Sequence, residues 1–353
     1  GGAGGGAGGG IGGEGNQFTC SASNKNTVTL NNLPNVKGIS ITNEGTYLAV
    51  THQTGTTANV FIRNGTNSYN PTPIFTATNL NDPRQVYLPP DGTYMAISNY
   101  TGGTVNVYQR TDTTTFNPVP IFVANMLYYP VGVSMSSNGE YLVVANYLGN
   151  TANVYQRTGP TTFNPVPIFV ADNLENPLGI SISSDGTYLV VANSGGTDFS
   201  GTTANVYQRT GPNTFNPVPI FVADNLSGPT AVAMSSDGSR FVVSCYKSNT
   251  AAVYQMSSGT TTFNPTPVYT ISGLKGVRTG ASMSSDGSTF VLSNRASGTA
   301  NVYQLNQAGT YGLFNTIGGL SDPADVSISG DKKFIAISNM YGKTANVYVC
   351  PFS

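Results

Sequence analysis

One unit recurs seven times along this chain, and no other feature limits the fold so strongly. Its first landmark is a turn glycine after a short apolar run: Gly45, Gly92, Gly139, Gly186, Gly238 and Gly287, each preceded by Glu, Asp or Asn. The seventh copy reads Gly330-Asp331. The second landmark is Thr-Ala-Asn-Val-Tyr or a close variant, ending at Phe61, Tyr108, Tyr155, Tyr207, Tyr254, Tyr303 and Tyr348. A period of about 40–50 residues with four strand-like runs per unit is the signature of a propeller blade. A blade cannot bury its own faces, so the seven units are expected to pack as one ring.

The unit at 179–225 shows the local logic. Gly179 to Ile182 reads as an inner strand, and Asp185-Gly186 as a hairpin turn in which glycine accepts positive φ. Tyr188 to Asn193 is an apolar run suited to burial on both faces. Thr203 to Gln208 alternates as a third strand, and Phe215 to Phe221 leads into an outer one. Pro217 and Pro219 cannot donate ladder hydrogen bonds and so suit an edge. No segment keeps a helical period. The fold expected is all-β: a seven-bladed β-propeller over residues 26–353, preceded by a Gly-rich arm and linker over residues 1–25.

The seventh unit lacks its outer strand at the C-terminus, and Thr27 to Leu33 matches that strand as it stands in the third unit. The N-terminal strand is therefore expected to complete the last blade, which removes two sheet edges at once. On the same register Cys20 and Cys350 fall four positions apart in one loop, close enough for a disulfide across the termini. Such a bond implies an oxidising compartment, and Cys245 reads as a buried free thiol.

The 353 residues carry 15 Lys+Arg against 16 Asp+Glu, a net charge of −1 with 9% charged residues. Nucleic-acid binding needs clustered cations to displace counterions, and this balance argues against it. No apolar stretch is long enough to span a bilayer, so membrane insertion is not expected. The chain starts without Met or an apolar leader, which reads as processing or truncation.

Ser-Ser-Asp-Gly-Thr-Tyr-Leu-Val-Val-Ala-Asn at 183–193, followed by Ala-Asn-Val-Tyr at 204–207, resembles the YVTN and lactonase-like seven-bladed propellers. The resemblance spans residues 26–350. It implies the fold, within families that include enzymes, surface antigens and binding modules. The chain departs from those families in having Ser or Asn where Pro commonly precedes the turn. No lactonase catalytic motif carries over onto its residues.

Propellers usually bind at the face that surrounds the central channel, and the loops between the second and third strands and between successive blades are expected to bring Lys37, Asp82, Arg84, Glu175, Lys275, Arg278, Asp322 and Asp325 there. These read as a rim of mixed sign, salt-bridged or solvated. They lack the spacing of a metal motif, and no metal or cofactor is expected. His52, the one histidine, fills the strand-end slot held elsewhere by Asn99, Asn146, Asn193, Asn294 and Asn339, and reads as a scaffold residue. Those asparagines are expected to bond the following turn backbone. Tyr100, Tyr128, Tyr129, Tyr147, Phe199 and Tyr246 stand apart from the repeat on the same loop face, where they suit carbohydrate or protein contact. Asn64, Asn99 and Asn225 head Asn-x-Ser/Thr sequons open to glycosylation.

These features lead to the expectation of a non-enzymatic, extracellular or surface-exposed structural protein. Its partners would be further copies of itself, or assembly subunits of a filament, surface layer or virion, with glycans as a further ligand. Eleven of its first fifteen residues are Gly, and that arm would serve assembly. Two alternatives stand beside it: a lactonase-like hydrolase working at the channel mouth, and a lectin-like module using the loop aromatics.

Overall fold

The computed structural model describes residues 27–350. The Gly-rich arm, the assembly role expected of it, and Cys20 lie outside the described residues. Seven antiparallel sheets form the ring. In the fourth, Pro177–Ile182 lies innermost, pairs with Tyr188–Asn193, and that strand pairs with Thr203–Gly211. All six residues of Tyr188–Asn193 are buried because a neighbouring blade covers each face. Seven apolar clusters result, one in each seam between adjacent blades. The repeat aromatics fill these seams: the Phe169 ring lies 5.5 Å from Tyr207 and 5.0 Å from Phe215.

The Ser-Ser-Asp-Gly turn is held by its own side chains. Ser183 Oγ donates to Asp185 Oδ1 (2.7 Å) and accepts from the Tyr188 amide (2.9 Å). The Thr187 amide and hydroxyl both donate to Asp185. Gly186 has φ +74°, and a Cβ there would stand 2.4 Å from the Tyr141 ring of the preceding blade. Arg209 donates to the Gly186 carbonyl (3.0 Å) and lies 4.7 Å above the same Tyr141 ring. One repeat motif thus makes the turn and stitches two blades together.

The seventh turn departs from the expected register. Positive φ falls on Lys332 (+66°), not on Gly330. Gly330 occupies the position of Ser184, where a Cβ would come within 1.7 Å of Asn43 Oδ1. The outer strand differs as well. It is two short pieces: Thr214–Phe215 folds back on the end of the third strand, and Phe221–Ala223 pairs farther along it. Pro217 and Pro219 lie in the gap between the pieces, where no ladder bond is needed.

Closure follows the sequence register. Thr27–Leu30 pairs antiparallel with Thr344–Val349, joining Thr27 to Tyr348 and Leu30 to Ala345. Leu30 and Leu33 then seal the seam between the last blade and the first. Cys245 is a buried free thiol, and burial pushes its pKa up. Cys350 is buried in the seam between the sixth and seventh blades. Asn64 and Asn225 are exposed. Asn99 is 2% exposed and donates to Thr104 and Asn106, so a glycan at that sequon has no room.

The strand-end asparagines also correct their expected role. Asn193 Nδ2 donates to Thr203 Oγ1 (2.9 Å) and Asn205 Oδ1 (3.3 Å), and Asn205 passes the relay to the Tyr207 hydroxyl. The contacts are side chain to side chain across two strands, so asparagine is kept for its amide on both ends of the relay. His52 joins the same system: its ring spans the Pro34 carbonyl (2.9 Å) and Asn59 Oδ1 (2.6 Å).

Candidate active site at the channel mouth

The innermost strands crowd together at one ring of positions. Gly38, Gly132, Gly179 and Gly280 occupy it in four blades, and a Cβ on Gly132 or Gly179 would meet the neighbouring strand backbone at 2.4–2.8 Å. Ala231 fills a fifth position. The remaining two carry Gln85 and Asp325, whose side chains meet across the lumen, with Gln85 Nε2 donating to Asp325 Oδ2 at 2.9 Å. The same oxygen accepts the Ile39 amide (3.2 Å), and Oδ1 accepts the Val326 amide (2.9 Å). Burial pushes the Asp325 carboxyl well above the usual carboxylate range, although three N–H donors and Lys37 favour its charge.

One residue earlier on the innermost strand of the first blade stands Lys37, 8% exposed, with Nζ 3.4 Å from Thr279 Oγ1. Burial lowers its pKa first; Arg295, Arg278 and Arg84 lower it further, and Asp325 opposes them. Above this pair opens a cavity of about 310 Å³. Its base holds Lys37, Gln85 and Asp325, and Arg84, Arg278 and Arg295 stand around it. Tyr100, Tyr147 and Phe199 form the aromatic part of its wall. Below the Gln85–Asp325 bar the channel continues as a second space of about 170 Å³, in which, among the described residues, Asp325 and Tyr87 are the titratable lining groups.

The three arginines are not equivalent. Arg84 is held by Asp82 (2.9 Å) and lies 4.1 Å over the Tyr100 ring. Arg295 makes a two-pronged pair with Asp322. Among the described residues Arg278 forms no ion pair; its guanidinium lies 5.2 Å over Phe199 and 6.0 Å over Tyr246. It is therefore the cation best placed to meet an incoming oxyanion. Asp82 and Asp322 are committed to arginines, and among the described residues no three His, Cys, Asp or Glu side chains gather as a metal-binding group.

Of the rim residues read from sequence, Lys37, Arg84, Arg278 and Asp325 converge on the cavity, while Asp82 and Asp322 brace its arginines. Glu175 and Lys275 are exposed and do not line it. Tyr100, Tyr147 and Phe199 line it. Tyr129 leans on Tyr100 and Tyr246 on Phe199, each pair 4.7 Å between centroids. Tyr128 stands outside, 68% exposed. His52 does not line it. Gln85 and Arg295 escaped the sequence reading. Gln85 was visible as a break in a column of glycines, and Arg295 as a charge one place after a strand-end asparagine.

A seven-bladed propeller whose channel mouth holds a buried carboxyl, a buried amine and a ring of arginines is the class this geometry defines. A family model described as "Lactonase, 7-bladed beta-propeller" matches residues 127–350. The chain belongs to that family. No protein of curated function matches it in sequence. Among solved structures it is similar to a chain of Kuenenia stuttgartiensis hydrazine synthase, at 16% identity and TM-score 0.68, covering 91% of this chain and 97% of that one. It is similar also to the Myceliophteria thermophila Cps50 (Swd1) β-propeller domain, at 12% identity and TM-score 0.68, covering 92% and 99%. A "putative 6-phosphogluconolactonase" from Bacteroides fragilis aligns at 14% identity and TM-score 0.66, covering 82% and 85%. At these identities the structures attest the fold. Membership of a lactonase family corrects the expectation of a non-enzymatic chain, and points to a hydrolase. The physical reason for the miss is that no linear motif exists to be read: the mouth is built from single residues contributed by separate blades.

Proposed function

We propose that the chain hydrolyses a lactone at the channel mouth. The observation that carries this reading is Asp325: buried, fixed by Gln85 and two backbone amides, and set at the floor of a cavity lined with cations. Its raised pKa suits a general base working near neutral pH. The carboxylate takes a proton from water as the oxygen attacks the lactone carbonyl carbon. Charge develops on the carbonyl oxygen, where the Lys37 ammonium and the unpaired Arg278 guanidinium stabilise it. The ring C–O bond then breaks, the alkoxide takes the proton, and a hydroxy acid forms. Its carboxylate lies among the arginines until it leaves.

A panel of five- and six-membered lactones, followed by acid release at constant pH, tests the reading. Turnover by the native protein with at least a hundredfold loss of kcat in Asp325→Asn, at unchanged circular dichroism, is the expected result. Native protein inactive on every lactone, or an Asp325→Asn variant as active as the native protein, overturns it.

A further inference from the structure

The loop that enters the third blade breaks two rules that the other blades keep. It runs from the outer strand Phe122–Ala124 inward to the innermost strand Pro130–Met135. Its first special position has φ near +57° and is occupied by Met126, where Asn32, Asn79, Asn173 and Asn225 stand in other copies. Its second, at φ +54°, is Tyr129, where Asn35, Asp82, Asn176, Gly228 and Asp322 stand. Asn, Asp and Gly are the residues that accept the left-handed region at low cost; Met and Tyr are not. Both replacements are large, and they are open to solvent: Met126 is 90% exposed and Tyr129 39%.

Tyr128 (68% exposed) lies between them, and Leu148 (50% exposed) joins them from the adjoining loop, its amide bonded to the Tyr128 carbonyl. The corresponding loop of the fourth blade carries Asn173, Glu175 and Asn176 at the places of Met126, Tyr128 and Tyr129. The third blade has thus given up local backbone preference and solubility together to hold an apolar shelf. The shelf connects with the cavity. The Tyr129 ring rests on Tyr100, which lines the cavity wall, and the Tyr129 carbonyl accepts the amide of Tyr147, which lines it too.

We infer that this shelf binds an apolar substituent of the substrate, an alkyl or acyl chain carried by the lactone ring. The inference rests on the lactonase reading above and adds the substrate class to it. Continuity with the cavity selects this occupant. A chain leaving a ring seated over Asp325 on the third-blade side passes Tyr100, whose ring also carries Arg84, and Tyr147, then Tyr129, and from there meets Tyr128 and Leu148. The shelf is open, so each methylene placed on it loses only part of its contact with water and the gain per carbon is modest.

The test compares the native protein with Met126→Asn/Tyr128→Glu, which installs the residues of the fourth blade. Relief of one left-handed Met should raise Tm, so the variant folds. Turnover of γ-butyrolactone should stay the same in both proteins. In the native protein kcat/KM should climb from γ-butyrolactone through γ-octalactone to γ-dodecalactone, and in the variant the longest substrate should lose roughly five- to tenfold, as for a methylene or two of partly buried contact. Equal chain-length dependence in the two proteins overturns the inference and leaves the lactonase reading intact. If neither protein turns over any lactone, the lactonase reading fails, and calorimetric titration decides the shelf. γ-Dodecalactone bound more tightly by the native protein than by the variant supports it, and equal binding overturns it. A variant whose only change is in sedimentation makes the shelf an interface between copies of the chain, which also overturns the inference.

Discussion

Asp325 and Lys37 give the mouth a pH signature that can be worked out by sign. Burial raises the carboxyl, so the proposed base is ionised only above a pH well past the ordinary carboxylate range. Burial and three arginines lower the amine, so its charge is lost at a pH well short of the ordinary lysine range. Plots of kcat/KM against pH should therefore be bell-shaped and narrow, with an acid limb displaced upward and an alkaline limb displaced downward, each belonging to the pair jointly. Gln85→Leu removes a donor that favours the ionised carboxylate. It should move the acid limb to still higher pH and lower kcat about tenfold, because misplacing a base costs rate even when it survives. An acid limb at the ordinary aspartate position in the native protein would show that another group limits the reaction.

The Asp-Gly turns carry a separate pH dependence at the level of the element. Burial alone would raise Asp185, Asp237 and Asp286, but hydrogen bonds outweigh it and hold all three below the usual range. A carboxyl depressed in the folded state adds stability above its unfolded pKa and loses it as pH falls through the folded value. Thermal melts should show Tm falling as pH drops through and below the ordinary aspartate range, while between neutral pH and that range the raised Asp325 acts in the opposite sense; Asp185→Ala should flatten the low-pH fall while costing about 0.5–1.5 kcal/mol at pH 7, discounted for solvent exposure. Lys332 offers the opposite case. Lys332→Gly relieves positive φ at the cost of an ion pair to Asp286 that is half open to water. The net effect should be stabilisation of a few tenths to about 1 kcal/mol; a lower denaturation midpoint would mean that the ion pair dominates.

Elements were the most legible scale in the sequence. Each blade repeats the same run of turn, buried strand and alternating strand, and burial on both faces leaves little choice of residue. The split outer strand was not legible, because proline excludes a ladder bond without saying where the chain resumes pairing. The site was hidden for a different reason. A repeat is read by what recurs, whereas Gln85 and Asp325 matter by failing to recur in a column of glycines, and Met126 and Tyr129 by displacing Asn, Asp and Gly. Asp325 and Tyr129 were legible as a rim charge and a loop aromatic, while Gln85 and Met126 stand out only as exceptions among the seven units.

For the molecule as a whole, closure by Thr27–Leu30 is the feature with the widest effect. Without that strand, Thr344–Val349 becomes a sheet edge and Leu30 and Leu33 leave the last seam. A chain beginning at residue 34 should lose its cooperative melt and associate through the open edge; a monomer with the native Tm would show that the ring closes without it. The Cys20–Cys350 bond expected from the repeat register would lock the same place, and removing a native disulfide typically costs about 2–5 kcal/mol. Peptide mapping without reductant should recover the linked pair, and recovery of both thiols fully alkylated would dismiss it.

Closure also has a consequence in time. The strand Thr27–Leu30 leaves the ribosome well ahead of its partner Thr344–Val349, which is made about three hundred residues later. At about 5–20 residues per second, the early strand waits on the order of 15–60 s with its edge unpaired. For that interval the nascent protein is an open arc with both end blades uncovered. Its hazard in the cell lies in synthesis, in a slow or interrupted translation, more than in the finished ring.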